Sequence, residues 1–377
     1  MSKSGPSFFA HVTSRRFVLT AIGLFAIDHQ LEKTTVAQRA TLGGFDTANR
    51  YTADSAARKT AVIAISAVEV AKYFHGERPV PPKALADVVT RLLRLHPSVL
   101  VVDVFTDGPG YSSALFNDST FRSEQDALVW AKALDTVTSE ALPILSGTTN
   151  PPGRSGLAVI LADEDHLVRR FRPRYAATRV GPGSESIESL PLAAANAFRE
   201  RPHGTVAIPD VLASDSVSIG LREYGRNPPL YLLDDVLSAA SSGTAPDTAL
   251  ANKVLILGFI DGSDQVLTSR GVRAGPVVVA DAVETLLDSR VAIRKLEAWK
   301  EWLSKILLSL LVGFIHFRLP RQHAAVTMIA LTVAVIYGGF LVFERYGYWI
   351  NYVLIVVGFW IEQLYGDATH SETHTTG

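Results

Sequence analysis

The chain has 377 residues, 47% of them hydrophobic and 19% charged, with 36 basic against 37 acidic side chains and no cysteine. The near-neutral balance supplies no basic field for nucleic acid, and the lack of cysteine excludes disulfides, thiolate catalysis and cysteine zinc sites. A soluble domain joined to a few membrane spans would have this composition.

The first apolar segment, residues 17–27, follows Arg15 and Arg16. It is too short to span a bilayer alone, but with residues 28–31 added and the arginines snorkelling it makes a first transmembrane helix. A cleaved leader and a buried helix of the soluble domain are the competing readings. The stretch Ser14-Arg15-Arg16-Phe17-Val18-Leu19 loosely matches a twin-arginine export signal, yet no small-x-small cleavage site follows, which favours an uncleaved span.

Apolar runs of β type then alternate with helical stretches. Strands are expected at 61–65, 99–105, 142–146, 157–161, 205–208 and 254–259, and helices at 82–95, 123–140, 191–199, 230–240 and 275–288. Runs such as Val99-Leu100-Val101-Val102 and Val254-Leu255-Ile256-Leu257 are apolar throughout, the mark of a sheet covered on both faces. Pro82 and Pro191 suit the first turns of helices. The fold class expected is an α/β domain with a mostly parallel sheet.

Three more apolar runs follow at 302–317, 324–343 and 346–361. A bilayer core of about 30 Å needs about 20 apolar residues, so the middle run spans and the outer two span with help from their flanks. The loop between the first two carries Arg318 and Arg321, whereas the next carries the balanced pair Glu344 and Arg345, which puts the first loop inside. The expected layout is a cytoplasmic N-terminus and first span over 1–31, an extracytoplasmic domain over 32–299, a bundle of three transmembrane helices over 300–365, and a cytoplasmic tail over 366–377. The expected location is a bacterial inner membrane, with the large domain in the periplasm or outside the cell.

Candidate chemistry gathers on acidic residues. Asp103 and Asp107, then Asp261 and Asp264, follow two of the expected strands, and open parallel sheets bind ligands outside their carboxyl ends. A small-molecule or cation pocket there competes with a plainer role in capping helices and turns. The spacing between Asp103 and Asp107 does not suit the aspartate nucleophile of phosphate-transferring enzymes. Asp163, Asp165, Arg169 and Arg170 form a second group, read either as a ligand site or as a tight turn with its arginines in solvent, the turn being favoured. Asp163 and Asp165 lack the glycine and distant glutamate of an EF-hand, and His370 and His374 alone make no metal site. No nucleophile elbow, zinc-protease, Walker or dinucleotide motif is present, so no catalytic residue, metal or cofactor is assigned.

Several patterns in order resemble the type-two CHASE domain, an extracellular sensory module of bacterial cyclases and histidine kinases. They are Ala61-Val62-Ile63-Ala64-Ile65 with Val99-Leu100-Val101-Val102-Asp103-Val104-Phe105, the turn Ala162-Asp163-Glu164-Asp165-His166-Leu167-Val168-Arg169-Arg170, and Asn252-Lys253-Val254-Leu255-Ile256-Leu257-Gly258 followed by Asp264, Gly271, Gly275, Ala280 and Glu284-Thr285-Leu286-Leu287. The resemblance covers roughly residues 55 to 295. It implies a module bracketed by one span before and three after. Two departures stand out: the acidic residue after the first strand is displaced to Glu69, and His166 stands where the family has glycine. Most members continue into an output domain, whereas this sequence closes at Gly377. The expectation is a non-enzymatic membrane-anchored sensor, its ligand a small molecule or an extracytoplasmic protein. It would signal through its spans to a separate effector, with a homo-oligomer open. The alternatives are a structural subunit of a membrane complex and a membrane-anchored enzyme.

Overall fold

The computed structural model describes residues 34–51, 58–108, 110–116, 119–134, 141–142, 144–145, 153–160, 162–163, 165–175, 186–201, 219–222, 227–242, 250–262, 264–288, 294–295, 298–349, 356 and 360. The chain divides into two compact units, Thr52–Ile293 and Met1–Tyr51 with Arg294–Gly377.

The larger unit is built on one six-stranded sheet. In chain order its main elements are β1 (Thr60–Ile65), helices α2 (Ala67–Tyr73) and α3 (Pro82–Leu93), β2 (Val99–Asp103), β3 (Leu128–Lys132), β4 (Arg154–Leu157), α4 (Leu190–Arg199), β5 (Leu230–Leu232), α5 (Leu233–Ser242), β6 (Val254–Phe259), the hairpin β7 (Gln265–Thr268) and β8 (Gly271–Ala274), and α6 (Gly275–Leu287). Helix α1 (Thr35–Tyr51) precedes them and belongs to the other unit. The sheet runs β4-β3-β2-β6-β1-β5 with every pair parallel.

Period-two alternation sends the apolar side chains into two cores. Ala61, Ile63, Ile65, Leu100, Val102, Leu255 and Leu257 meet α2, α3 and α5 on one face, whereas Val62, Val99, Val101, Val254 and Ile256 meet α4 and α6 on the other. The steps β1 to β2 to β3 to β4, and β5 to β6, run one way across the sheet and carry their helices on the first face. The step from β4 to β5 runs back and carries α4 on the second. A single crossover handedness demands this pairing of direction with face.

Of the expected elements, β1, β6, α3, α4 and α6 lie where the sequence pattern puts them, to within two residues at either end. The helix expected at 123–140 is a correction. A short helix ends at Glu124, and Leu128–Lys132 is a strand inside the sheet. Leu128 and Trp130 face the first core, Val129 and Ala131 the second, so a four-residue run apolar on both faces replaces the helical period. Phe116 then meets Phe121 and Trp130 edge-to-face at 5.2 and 5.0 Å, geometry that adds about 0.5–1.5 kcal/mol per pair. The helix expected at 230–240 starts three residues later, after the edge strand β5. The strand expected at 157–161 sits earlier, at Arg154–Leu157, and β2 ends at Asp103 rather than at 105. The described part of 142–146 holds no strand, and the strand expected at 205–208 lies outside the described residues.

In the smaller unit, α1 joins α7 (Ala298–Arg318) and α8 (Arg321–Tyr346). Pro320, at the N-cap of α8, separates the two long helices. Ile315 packs with Ala324 and Met328, and Phe45 of α1 meets Phe343 and Trp349 at 6.1 and 5.4 Å. Among the described residues one helical segment, His323–Tyr346, is long and apolar enough to cross a membrane. Its Val326, Ile329, Val333 and Tyr337 are exposed and form an outward apolar face. Helix α7 carries Lys300, Glu301 and Lys305 in its first turns. The first expected span, most of the third run and the tail lie outside the described residues.

Candidate functional site

Strand β6 lies between β1 and β2, and the chain leaves those two neighbours toward one face but leaves β6 toward the other, into α6. In open α/β sheets ligands bind at such switch points, beyond the carboxyl ends of the strands. Asp103 ends β2 opposite Gly258 of β6, and the turn after β6 carries Asp261 and Asp264. Gly258 has no room for a side chain: a Cβ there would lie 2.4 Å from Pro276 Cγ and 3.4 Å from the Asp103 Cβ. The bare backbone thus lets the first turn of α6 close down beside Asp103. Gly275 does the same for Asp264, whose carboxylate oxygens lie 2.6 Å from where a Cβ would stand. The backbone ties this corner together, with Gly275 N–H donating to the Asp264 carbonyl at 2.8 Å and Asp264 N–H to that of Asp261 at 3.1 Å.

Charge is unevenly satisfied here. Burial, then the charge of Asp264, pushes the Asp103 carboxyl from 3.8 up to about 7. Burial raises Asp264 as well. Two carboxylates in one low-dielectric corner favour holding a proton between them near neutrality. Asp261 differs, because Arg78 from the loop after α2 meets its carboxylate while stacking 4.6 Å over the Phe259 ring. Asp107 is exposed and stands apart, its charge acting on Tyr111, which burial first and Asp107 second push up to about 12. Glu69, the displaced carboxylate, is consumed by a capping box with Ser66 at the start of α2. Of the aspartates proposed from sequence, the structure brings Asp103, Asp261 and Asp264 to one corner and leaves Asp107 outside it.

The group at 163–170 is a turn, but its arginines do not both point to solvent. Arg169 is 4% exposed, donates to Asp165 at 2.8 Å and lies 3.4 Å from Asp163. Arg170 is exposed but its guanidinium also meets Asp163. The hydrogen bond from Arg169 holds the Asp165 carboxyl below its usual range. His166, at the position where glycine was expected, takes a φ of 64°, the left-handed conformation glycine adopts freely. An inward arginine held by two carboxylates is a latch that fixes the turn.

A further set of carboxylates, at the amino edge of the sheet, was not singled out from sequence. Asp281 of α6 is fully buried and takes 2.6 Å bonds from both Arg58 and Arg273, and Arg273 also donates to Asn227 at 2.9 Å. One turn on, Glu284 accepts from the amides of Lys59 and Thr60 and from the Thr60 hydroxyl, each at 3.0 Å to Oε2. Burial raises both carboxyls, opposed at Asp281 by the two arginines and at Glu284 by these hydrogen bonds. A sequence signal exists in part: two acids three apart within the otherwise apolar helix Gly275–Leu287 need buried partners.

A protein-family model described as the CHASE2 domain matches residues 17–315. No curated protein and no solved structure matches the chain.

Proposed function

Because the chain belongs to the CHASE2 domain family, a family of extracellular sensory domains, we propose that it is a membrane-anchored sensor that binds its stimulus outside the cytoplasm and passes the signal to a separate effector. The observation that carries this reading is the corner at the carboxyl edge, where Asp103 and Asp264 lie together with no side-chain cation partner among the described residues. A structural scaffold has no use for two half-buried carboxylates without a cation partner, whereas a receptor does: a ligand bringing a cation or hydrogen-bond donors would relieve the cost of their charge. The Asp261–Arg78 pair and the Phe259 ring form one wall of the same corner. No reaction is assigned to the domain, which acts by binding.

Anchorage rests on the apolar segment His323–Tyr346 and its exposed aliphatic face. In the proposed topology the sheet domain lies outside and the loop around Pro320 inside, in a bacterial inner membrane. Ligand binding shifts the domain between two arrangements, and a tenfold shift requires a differential affinity of about 1.4 kcal/mol. The test is a thermal-shift screen of the full chain in lipid nanodiscs against small metabolites and divalent cations, with Asp103→Asn in parallel. At least one compound is expected to stabilise the wild type and lose its effect in the variant. Stabilisation by none, together with recovery from membranes in a fixed complex, would favour a structural subunit instead. A reporter fused at Ser241 checks the topology: a cytoplasmic signal would overturn it.

A further inference from the structure

We infer that α6 is a rigid coupling rod that joins the acidic corner at the carboxyl edge of the sheet to the first and last described residues of the sheet domain. This rests on the sensory reading for its biological purpose, but its mechanical content stands on the geometry of the helix alone.

Each end of α6 is gripped. At its start, Gly275 donates to the Asp264 carbonyl, the Asp264 carboxylate lies against the Gly275 Cα, and Pro276 is seated on Gly258 with no space to spare. Any rearrangement of Asp264 or Gly258 therefore displaces the first turn. Along its length all thirteen residues from Gly275 to Leu287 are buried, so the helix has no solvent side toward which to yield. A thirteen-residue helix is about 20 Å long, and close-packed interiors transmit strain instead of absorbing it. At its far end Asp281 and Glu284 hold Arg58, Lys59 and Thr60, the first described residues of the domain. The Lys59 ammonium also lies 3.4 Å from the Leu287 carbonyl, the last residue of the helix and one short of where the described domain ends. The entering and leaving segments are thus fastened to the same two turns of the same helix.

The surroundings fit a moving part better than a passive pillar. Thr285 accepts from the Arg222 amide and donates to the Asp281 carbonyl, so the grip extends to the strand segment at 219–222 through the helix itself. A buried ionic cluster adds little net stability over an apolar core but strongly resists being half broken. It behaves as a latch with two discrete states, engaged or released, which a switching element needs.

The test is amide hydrogen exchange of the full chain in nanodiscs, with no ligand added. Gly258→Ala forces Pro276 away, and by the usual size of coupling between sites it is expected to accelerate exchange of the Lys59 and Thr60 amides at least about fivefold beyond any change in β3. Should that variant fail to fold, Asp264→Asn perturbs the same corner more gently. It is expected to change those two amides at least about threefold relative to β3, a size within the range by which mutations modulate coupling. Reciprocity supplies a second measurement: Glu284→Gln must shift the titration midpoint of Asp103, read by carboxyl carbon NMR, whereas Glu200→Gln at the surface must not. Changes confined to residues 258–276, uniform changes in every strand, or an unmoved Asp103 midpoint in Glu284→Gln would each overturn the rod. Because no ligand enters these measurements, they are independent of the metabolite screen, and either result can fail without the other.

Discussion

The two edges of one sheet use the same residue type in opposite ways. At the carboxyl edge Asp103 and Asp264 are drawn into a low-dielectric corner and left to repel one another, and Asp103 is pushed up to about 7. At the amino edge Asp281 is more deeply buried yet meets two arginines at 2.6 Å, and Glu284 is wrapped by backbone donors. The difference teaches that burial alone does not mark a functional carboxylate. What separates the edges is whether the described residues supply cationic or hydrogen-bonding partners: they do at the amino edge, whereas at the carboxyl edge no described cation meets Asp103 or Asp264.

The sharpest way to break this contrast is to open the amino edge. Asp281→Ala strands Arg58 and Arg273 in the interior and is expected to cost about 3–5 kcal/mol, read as a fall in the denaturation midpoint of the full chain. A loss under about 1 kcal/mol would mean the arginines reach water easily and the edge is not closed. The carboxyl edge should answer with the opposite sign. The Asp103 pKa is raised on folding, so its contribution to stability is fully present below about pH 4 and is lost as pH rises through about 7. Asp103→Asn should abolish that slope and raise stability above neutrality by about 2–4 kcal/mol, measured by chemical denaturation from about pH 5 to 8. A variant less stable than wild type at high pH would show that the corner already holds a partner.

Two smaller effects calibrate the comparison. Ser189 caps α4 through the Leu192 amide and belongs to neither cluster; its replacement by alanine should cost about 1 kcal/mol with no pH dependence. Asp107→Asn, next to the corner in sequence but exposed, should change stability by under about 0.5 kcal/mol and leave the Asp103 titration in place. If it instead matched Asp103→Asn, the corner would extend further along the loop than the geometry indicates.

Much of the sheet domain is legible in the sequence, because a strand buried on both faces must be apolar at every position, and the β-branched residues of Val254 to Leu257 and Val99 to Val102 favour strand over buried helix. Leu128 to Lys132 fails that test: five residues leading out of a short helix and followed by Ala133 and Leu134 read equally well at either period. Only the pairing with Leu100 and Val102 decides for a strand. The site is legible in part for a related reason. Asp103 and Asp264 are visible because strand ends are where α/β sheets bind ligands, and Asp107 passed the same filter without belonging. Arg78 gave no signal, since its partner is far away in sequence and the loop carrying it has no pattern. The inward turn of Arg169 was hidden too, because exposure of a surface arginine is the default until two carboxylates are found facing it. CHASE2 membership agrees with the resemblance carried by the Asp163 turn and the Gly258 to Leu287 segment, both now accounted for by contacts.

The 3.4 Å approach of the Lys59 ammonium to the Leu287 carbonyl brings the start of β1 and the end of α6, near the first and last described residues of the sheet domain, side by side. A segment whose two ends emerge side by side can be spliced into a host loop without stretching either, and removed again without leaving a gap. The sheet domain is in that sense a cassette with a single socket, and the buried Asp281 and Glu284 are the clasp that keeps the socket shut.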